Sequence, residues 1–432
     1  MVSSPSRSMP YQATFPTLRM PCEGSERVMK KRLNIFIAFR QTRLNYEFPA
    51  HNSMSNWAGR RPSPSASYNI KDIDPHLCTH IAYAFGKIDP NSKVLVATSP
   101  WLEDNRLGYV GKYRQFTDLK NENSRLKTLL SVGGQNDYGA GFKSVIENDV
   151  IAKTFAEEAV KFLRERSFDG LDIDWEYPTS ATKQKFIVLL RALREAFDNE
   201  KTNGQSRLLL TVAGPPGQQF IDPGYDIPNV ARYADYVNLL TYDYTSIHAS
   251  VTAFNSPLFS RKDIRFNPTL STNWTVYKWH TGGLPFHKML VGVTAVGRRL
   301  VLRNVNQFGV GSPTSGEVRY GTQYQIPGGL AYPEVGAVNT FAPARRRICT
   351  MLKSANTKRY FDNEQKVPYL VMGTDWVGYE DKESIDIKVP WMMRLGVAGI
   401  MLWALDQDDF SGKVCSLAHT AALGKSLALL HL

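Results

Sequence analysis

From Tyr68 onward the chain alternates short β-rich runs with amphipathic helical stretches, and this rhythm limits the possible folds more than any other feature. Strands joined by helix-length connections run parallel, because antiparallel neighbours need only a hairpin. Seven strands are expected: His80–Phe85, Thr128–Gly134, Gly170–Tyr177, Leu208–Gly214, Tyr236–Asp243, Met289–Val296 and Ile400–Asp406. Between them, Phe155, Ala159, Phe162 and Leu163 share one helical face, and Phe186, Leu189, Leu190, Leu193 and Phe197 share another. One further strand before Tyr68 would close an eightfold α/β barrel, an ordinary size for a chain of 432 residues. The segment Arg298–Ser384 breaks the rhythm with glycine-rich turns and scattered short strands. It is expected to be a small α+β insertion between strands seven and eight. The expected organisation is an atypical N-terminal segment over 1–50, the first part of the barrel over 51–297, the insertion over 298–384, and barrel completion with a C-terminal helix over 385–432.

One of these strands is chemically unusual. In "LDIDWE", strand alternation puts Asp172, Asp174 and Glu176 on one face and Leu171, Ile173 and Trp175 on the other. In a parallel barrel one face meets helices and the other the barrel interior, so the three carboxylates crowd together away from bulk solvent. Packed like charges raise proton affinity, and at least one group should hold a proton near neutral pH. Glu176 is nearest the C-terminal end of the strand, where barrel active sites lie, and is the natural general acid. Three readings of the cluster are open: a solvated acidic face, a divalent-metal site, or acid–base chemistry on a glycosidic or similar bond.

Composition excludes other classes. No apolar run approaches the roughly 18 residues of a membrane span, so no membrane crossing is expected. The formal net charge of +12 is uneven, with residues 1–66 alone contributing +7, but no nucleic-acid-binding motif accompanies it, and no nucleic-acid partner is expected. Cys22, Cys78, Cys349 and Cys415 include no C-x-x-C pair, which argues against a zinc site. The sequon Asn273-Trp274-Thr275 is compatible with secretion. "MKKRLNIFIAF" from Met29 places a seven-residue apolar run behind a basic cluster, which reads either as a marginal signal peptide or as a buried strand.

The stretch D-G-x-D-x-D-W-E-Y-P at Asp169–Pro178 resembles the signature of family-18 glycoside hydrolases, the chitinases and chitinase-like lectins. "SVGG" at Ser131–Gly134, "LLTYD" at Leu239–Asp243, "SPL" at Ser256–Leu258, "GVGSPTSG" at Gly309–Gly316, "VPYLV" at Val367–Val371 and "MLWALDQDDFSG" at Met401–Gly412 follow in the family's order. The resemblance implies a TIM barrel with an α+β insertion on the cleft wall. It also implies cleavage of β-1,4-linked N-acetylglucosamine polymers, with endo action expected, and neither cofactor nor metal. It makes Glu176 the proton donor and Asp174 the group that stabilises an oxazolinium ion formed by the substrate's own acetamido oxygen. Asp172 shares the charge of Asp174, and Tyr242 hydrogen-bonds the acetamido group. Trp403 becomes the floor beneath the scissile sugar and Trp57 a platform toward the non-reducing side. Tyr177, Asp243, Met401, Arg298, Gly134 and Gln135 fall on pocket positions. The resemblance further implies a Cys349–Cys415 disulfide, secretion, a monomer, and chitin or chitooligosaccharide as the binding partner.

The departures cluster around binding. Gln135, His248 and Val296 stand where the family usually has aromatic residues, which predicts a weaker hold on the leaving-group side. The family's first strand, C-Y-x-x-N-W, has here lost both its cysteine, the partner of the position matching Cys78, and its tyrosine. Either "LNIFIAF" (Leu33–Phe39) supplies the strand, or the N-terminal portion is not the biological one. A sugar-binding lectin without turnover, and a hydrolase of the N-glycan chitobiose core, are the competing functions.

Overall fold

The computed structural model describes residues 50–61, 67–106, 108–200, 204–320, 327–331 and 348–408. Eight parallel strands close on themselves: β1 Ala50–Ser55, β2 His80–Asp89, β3 Lys127–Gly133, β4 Gly170–Asp174, β5 Leu209–Gly214, β6 Tyr236–Leu239, β7 Met289–Thr294 and β8 Gly399–Trp403. Each pairs with its sequence neighbours, and β1 completes the ring by pairing with β8 at Ala50↔Ile400 and with β2 at His51↔His80. Helices Asp149–Glu165 and Lys183–Asn199 pack outside β4, burying Phe155, Ala159 and Leu163 from one and Phe186, Leu189, Leu190, Leu193 and Phe197 from the other. The first is started by Asn148, whose side chain accepts the Ile151 N–H. Phe162 is only half-buried, and the Arg166 guanidinium lies over its ring at 3.7 Å. Among the described residues no helix is long and apolar enough to cross a membrane.

The first strand departs from the sequence-based expectation. "LNIFIAF" does not supply it, nor is a strand missing: the polar run "AHNSMS" at Ala50–Ser55 closes the barrel. Leu33–Phe39 themselves lie outside the described residues. Parallel neighbours on both sides satisfy the backbone of β1, so it needs no apolar run of its own. Cys78 is a buried free thiol that hydrogen-bonds the Asn52 side chain of β1.

Past β7 only Ala295 intervenes before strand Val296–Val301, which belongs to a second, antiparallel sheet. Its five described strands run in the spatial order Gly329–Ala331, Val296–Val301, Asp375–Gly378, Val367–Met372 and Lys358–Asp362. Arg299 and Arg319 converge on the fully buried Asp375 within this sheet. The sequon also changes meaning. It sits in helix Thr272–Thr281, and its Thr275 hydroxyl is buried, donating to the Pro216 carbonyl at 2.5 Å.

Candidate active site

Strand β4 holds its carboxylates in layers. Ser131, Asp172 and Thr211 are in register across β3, β4 and β5, so both hydroxyls reach the carboxylate, Ser131 Oγ at 2.7 Å and Thr211 Oγ1 at 2.5 Å. Asn238 Nδ2 from β6 adds a third donor at 2.9 Å. Burial raises the Asp172 carboxyl above its usual range, and these three donors pull it back.

One layer higher, Asp174 is buried against Gly133, and its Oδ1 has no hydrogen-bond partner among the described residues. Burial, then the charges of Glu176 and Asp172, hold its carboxyl well above the carboxylate range. Sheet pairing ends at Asp174, and Glu176 therefore overhangs the mouth of the barrel. Its carboxyl is pushed up to about 7, chiefly by burial and further by the charge of Asp243, against a hydrogen bond from Tyr177. Trp175, on the opposite face, stacks on Phe142 at 5.2 Å and meets Phe186 edge-on at 5.5 Å, which anchors the strand end from outside.

Tyr242 and Asp243 likewise lie past the end of their strand, which stops at Leu239. Burial and the nearby carboxylates keep the Tyr242 phenol protonated and thus a donor, with Met401 Sδ behind it at 3.9 Å. Asp243 adopts a left-handed backbone with φ 59°, which Asp tolerates better than bulkier residues. Its carboxylate accepts from Arg298 at 2.5 Å, and Asn255 Oδ1 receives the same guanidinium at 3.3 Å. Arg298 belongs to the antiparallel sheet, which thereby contributes one wall of the site.

These groups border a cleft of about 600 Å³, within the range of small-ligand sites. Trp57, Phe85 and Trp403 form a row along it, with ring centroids 6.3 and 5.7 Å apart and planes inclined by only 29° and 23°. Gly134, at φ 81°, lets the chain pass this row, since a Cβ there would stand 2.6 Å from the Phe85 ring. The stem of Trp57 is fixed by Asn56, whose Nδ2 donates to the buried Glu103 at 2.8 Å and to the Phe85 carbonyl at 3.2 Å.

Of the residues chosen from sequence, Asp174, Glu176, Tyr177, Tyr242, Asp243, Trp57, Gly134, Gln135, Arg298 and Trp403 line the cleft. Asp172 hydrogen-bonds within the barrel interior, and Met401 is buried behind Tyr242. Val296 reaches the lining and His248 is exposed beside lining residues Ser246 and Ile247. The expected Cys349–Cys415 disulfide lies outside the described residues. Phe85 was not foreseen; its position at the end of the strand run "HIAYAF" was the signal available. Glu103 gave no local signal, because it meets Asn56 only in the folded chain.

The arrangement provides a carboxyl pushed up to about 7 at the rim of an aromatic trough, a second buried carboxyl of raised proton affinity below it and a phenol donor beside it. The family model for glycosyl hydrolases family 18 matches residues 54–408. A probable endochitinase of Caenorhabditis elegans is 37% identical over 363 residues, 83% of this chain and 56% of that protein, so the chain spans little over half the length of this relative. An immunomodulatory active chitinase from Trichuris suis superimposes with a TM-score of 0.79 at 30% identity, covering 88% of this chain and 100% of the other. Human YKL-39, described as a pseudo-chitinase with retained chitooligosaccharide binding properties, superimposes with a TM-score of 0.78 at 31% identity over 88% of this chain and 100% of its own. On the extent of these matches, the chain is a member of glycosyl hydrolase family 18, folded as that family's TIM barrel.

Proposed function

We propose that the protein hydrolyses β-1,4 linkages between N-acetylglucosamine residues with retention of configuration, using Glu176 as general acid and then general base. The observation that carries this reading is the Glu176 carboxyl, held at about 7 directly above an Asp174 whose Oδ1 has no partner among the described residues. A general acid works best with a pKa near the working pH. Burial raises the proton affinity of Asp174, which disfavours the free carboxylate a nucleophile needs, and Asp243 is committed to Arg298. The nucleophile then comes from the substrate: its 2-acetamido oxygen attacks the anomeric carbon as Glu176 gives its proton to the departing glycosidic oxygen. Asp174 stabilises the resulting oxazolinium through the acetamido nitrogen, and Tyr242 donates to the acetamido group. A water then loses a proton to Glu176 and adds at the anomeric carbon, which restores both groups. The aromatic row supports the substrate class, because pyranose rings present C–H faces to such rings. The same reading places the protein outside the cell, where a polymeric substrate is met.

The test is hydrolysis of a fluorogenic chitotriose glycoside by the protein and by Glu176→Gln, with chitooligosaccharide binding measured on both. Turnover should fall by about 10³-fold or more in the variant with binding kept. A second reading, binding without turnover, is favoured by Gln135 and Val296 in the cleft wall, where the family usually has aromatic residues. Oligosaccharide binding by a folded parent that lacks all turnover would establish that reading in place of the first.

A further inference from the structure

A short turn, Leu405–Gln407, follows β8 directly, and its middle residue is locked in place. The carboxylate of Asp406 is fully buried, accepting the Ser55 N–H at 3.0 Å and the Ser55 hydroxyl at 2.7 Å and pairing with Arg61. Arg61 also donates to the Asp406 carbonyl at 3.0 Å, and the Gln407 N–H closes on the Ala404 carbonyl at 2.9 Å. Ser55 is two residues before Trp57. One buried carboxylate therefore fixes the stem of Trp57 on one side and the backbone of Gln407 on the other.

Gln407 lines the cleft together with Trp57 and Trp403 and is only 4% exposed. Its Oε1 is buried without a hydrogen-bond partner among the described residues. A carboxamide offers an acceptor and two donors, and rotation about its last bond exchanges them. Keeping Oε1 dry and unsatisfied costs free energy, which arrival of a polar ligand would recover. The aromatic row can hold the faces of sugar rings but cannot read their edges; a carboxamide in the lining of the same cleft can.

We propose that Gln407 is a sugar-contacting, specificity-determining residue. Its carboxamide hydrogen-bonds the polar ring substituents of an N-acetylglucosamine unit seated on the aromatic row in the cleft that Gln407 lines. This rests on the chitooligosaccharide reading of the cleft. Substituting Gln407→Leu removes both polar atoms and leaves an apolar side chain one atom shorter.

Chitotetraose binding is measured by calorimetry on Glu176→Gln protein, with and without Q407L, and KM and kcat are measured with Glu176 intact. Q407L is expected to weaken chitotetraose binding by about fivefold and to raise KM with kcat unchanged, the pattern of an interaction made equally in ground and transition states. Binding by Q407L equal to that of a parent that does bind chitotetraose overturns the inference and leaves the chitinase reading standing. A parent that binds no chitotetraose overturns both. If Q407L does not fold, Q407M provides the same comparison.

Discussion

The barrel buries titratable side chains at both of its ends, and the two sets have different consequences. At the starts of β1 and β2, His51 and His80 are paired in register and stack at 4.2 Å, with the Tyr236 ring edge-on to both at 5.6 and 6.1 Å. At the end of β4, Asp174 and Glu176 stand one above the other beneath the cleft. Burial disfavours the charged form in both sets, lowering the imidazoles and raising the carboxyls. At the mouth the withheld charge becomes a proton that a substrate can take. At the closed floor the same desolvation yields only a stability that depends on pH. Position on the barrel, more than residue type, separates a reactive group from a structural one.

Substituting the upper set should affect rate and spare the fold. Asp174→Ala is expected to lower kcat by about 10²-fold or more, while thermal melting stays level or rises, since a buried carboxyl with an unpartnered oxygen is removed. A folded variant retaining more than a tenth of parental kcat would remove Asp174 from the chemistry.

The lower set should show the reverse. His80 is lowered from 6.5 to about 4 by burial first and Lys127 second, with Asp169 opposing and His51 and Tyr236 packed against it. The folded state thus binds fewer protons than the unfolded chain. The stabilisation is complete above about pH 6.5 and is lost as pH falls toward 4, on the order of 3 kcal/mol in total. Denaturant titrations from pH 7 to 4 should reveal this slope, and His80→Phe should flatten it without altering kcat at neutral pH. An identical slope in the variant would assign acid sensitivity to other groups.

The closing strand gives a third, smaller contrast. Asn52 hydrogen-bonds the buried Cys78 thiol, which burial pushes up to about 12, so the thiol stays protonated and inert. Asn52→Cys should form a cross-link under oxidising conditions and stabilise the protein by about 2 kcal/mol once the lost hydrogen bond is deducted. A melting temperature insensitive to reductant would show that the two positions do not meet disulfide geometry. The smallest effect is expected in the trough: Trp57→Ala should weaken oligosaccharide binding by about 1 kcal/mol, and leave the melting temperature nearly unchanged because the residue is 40% exposed. A loss in stability exceeding the loss in binding would make Trp57 a packing residue.

Much of the upper set was legible before folding was considered. Strand alternation alone put Asp172, Asp174 and Glu176 on one face, and the structure adds that Ser131, Thr211 and Asn238 from three other strands govern Asp172. The lower set was not legible. "AHNSMS" carries no apolar pattern, so a search for hydrophobic strands favours "LNIFIAF" upstream.

By itself, the sequence determined the βα rhythm, the family and the carboxylate-bearing strand, because each is written in local periodicity or in contiguous motifs. Tertiary structure alone decided that Ala50–Ser55 closes the barrel, that Phe85 joins Trp57 and Trp403 in one row, and that Glu103 and Asp406 brace it. Ser55 and Asp406 are 351 positions apart in the chain. A polar strand becomes stable between two parallel neighbours, and a buried carboxylate becomes a brace, only when distant segments bring it hydrogen-bond partners that no local pattern encodes.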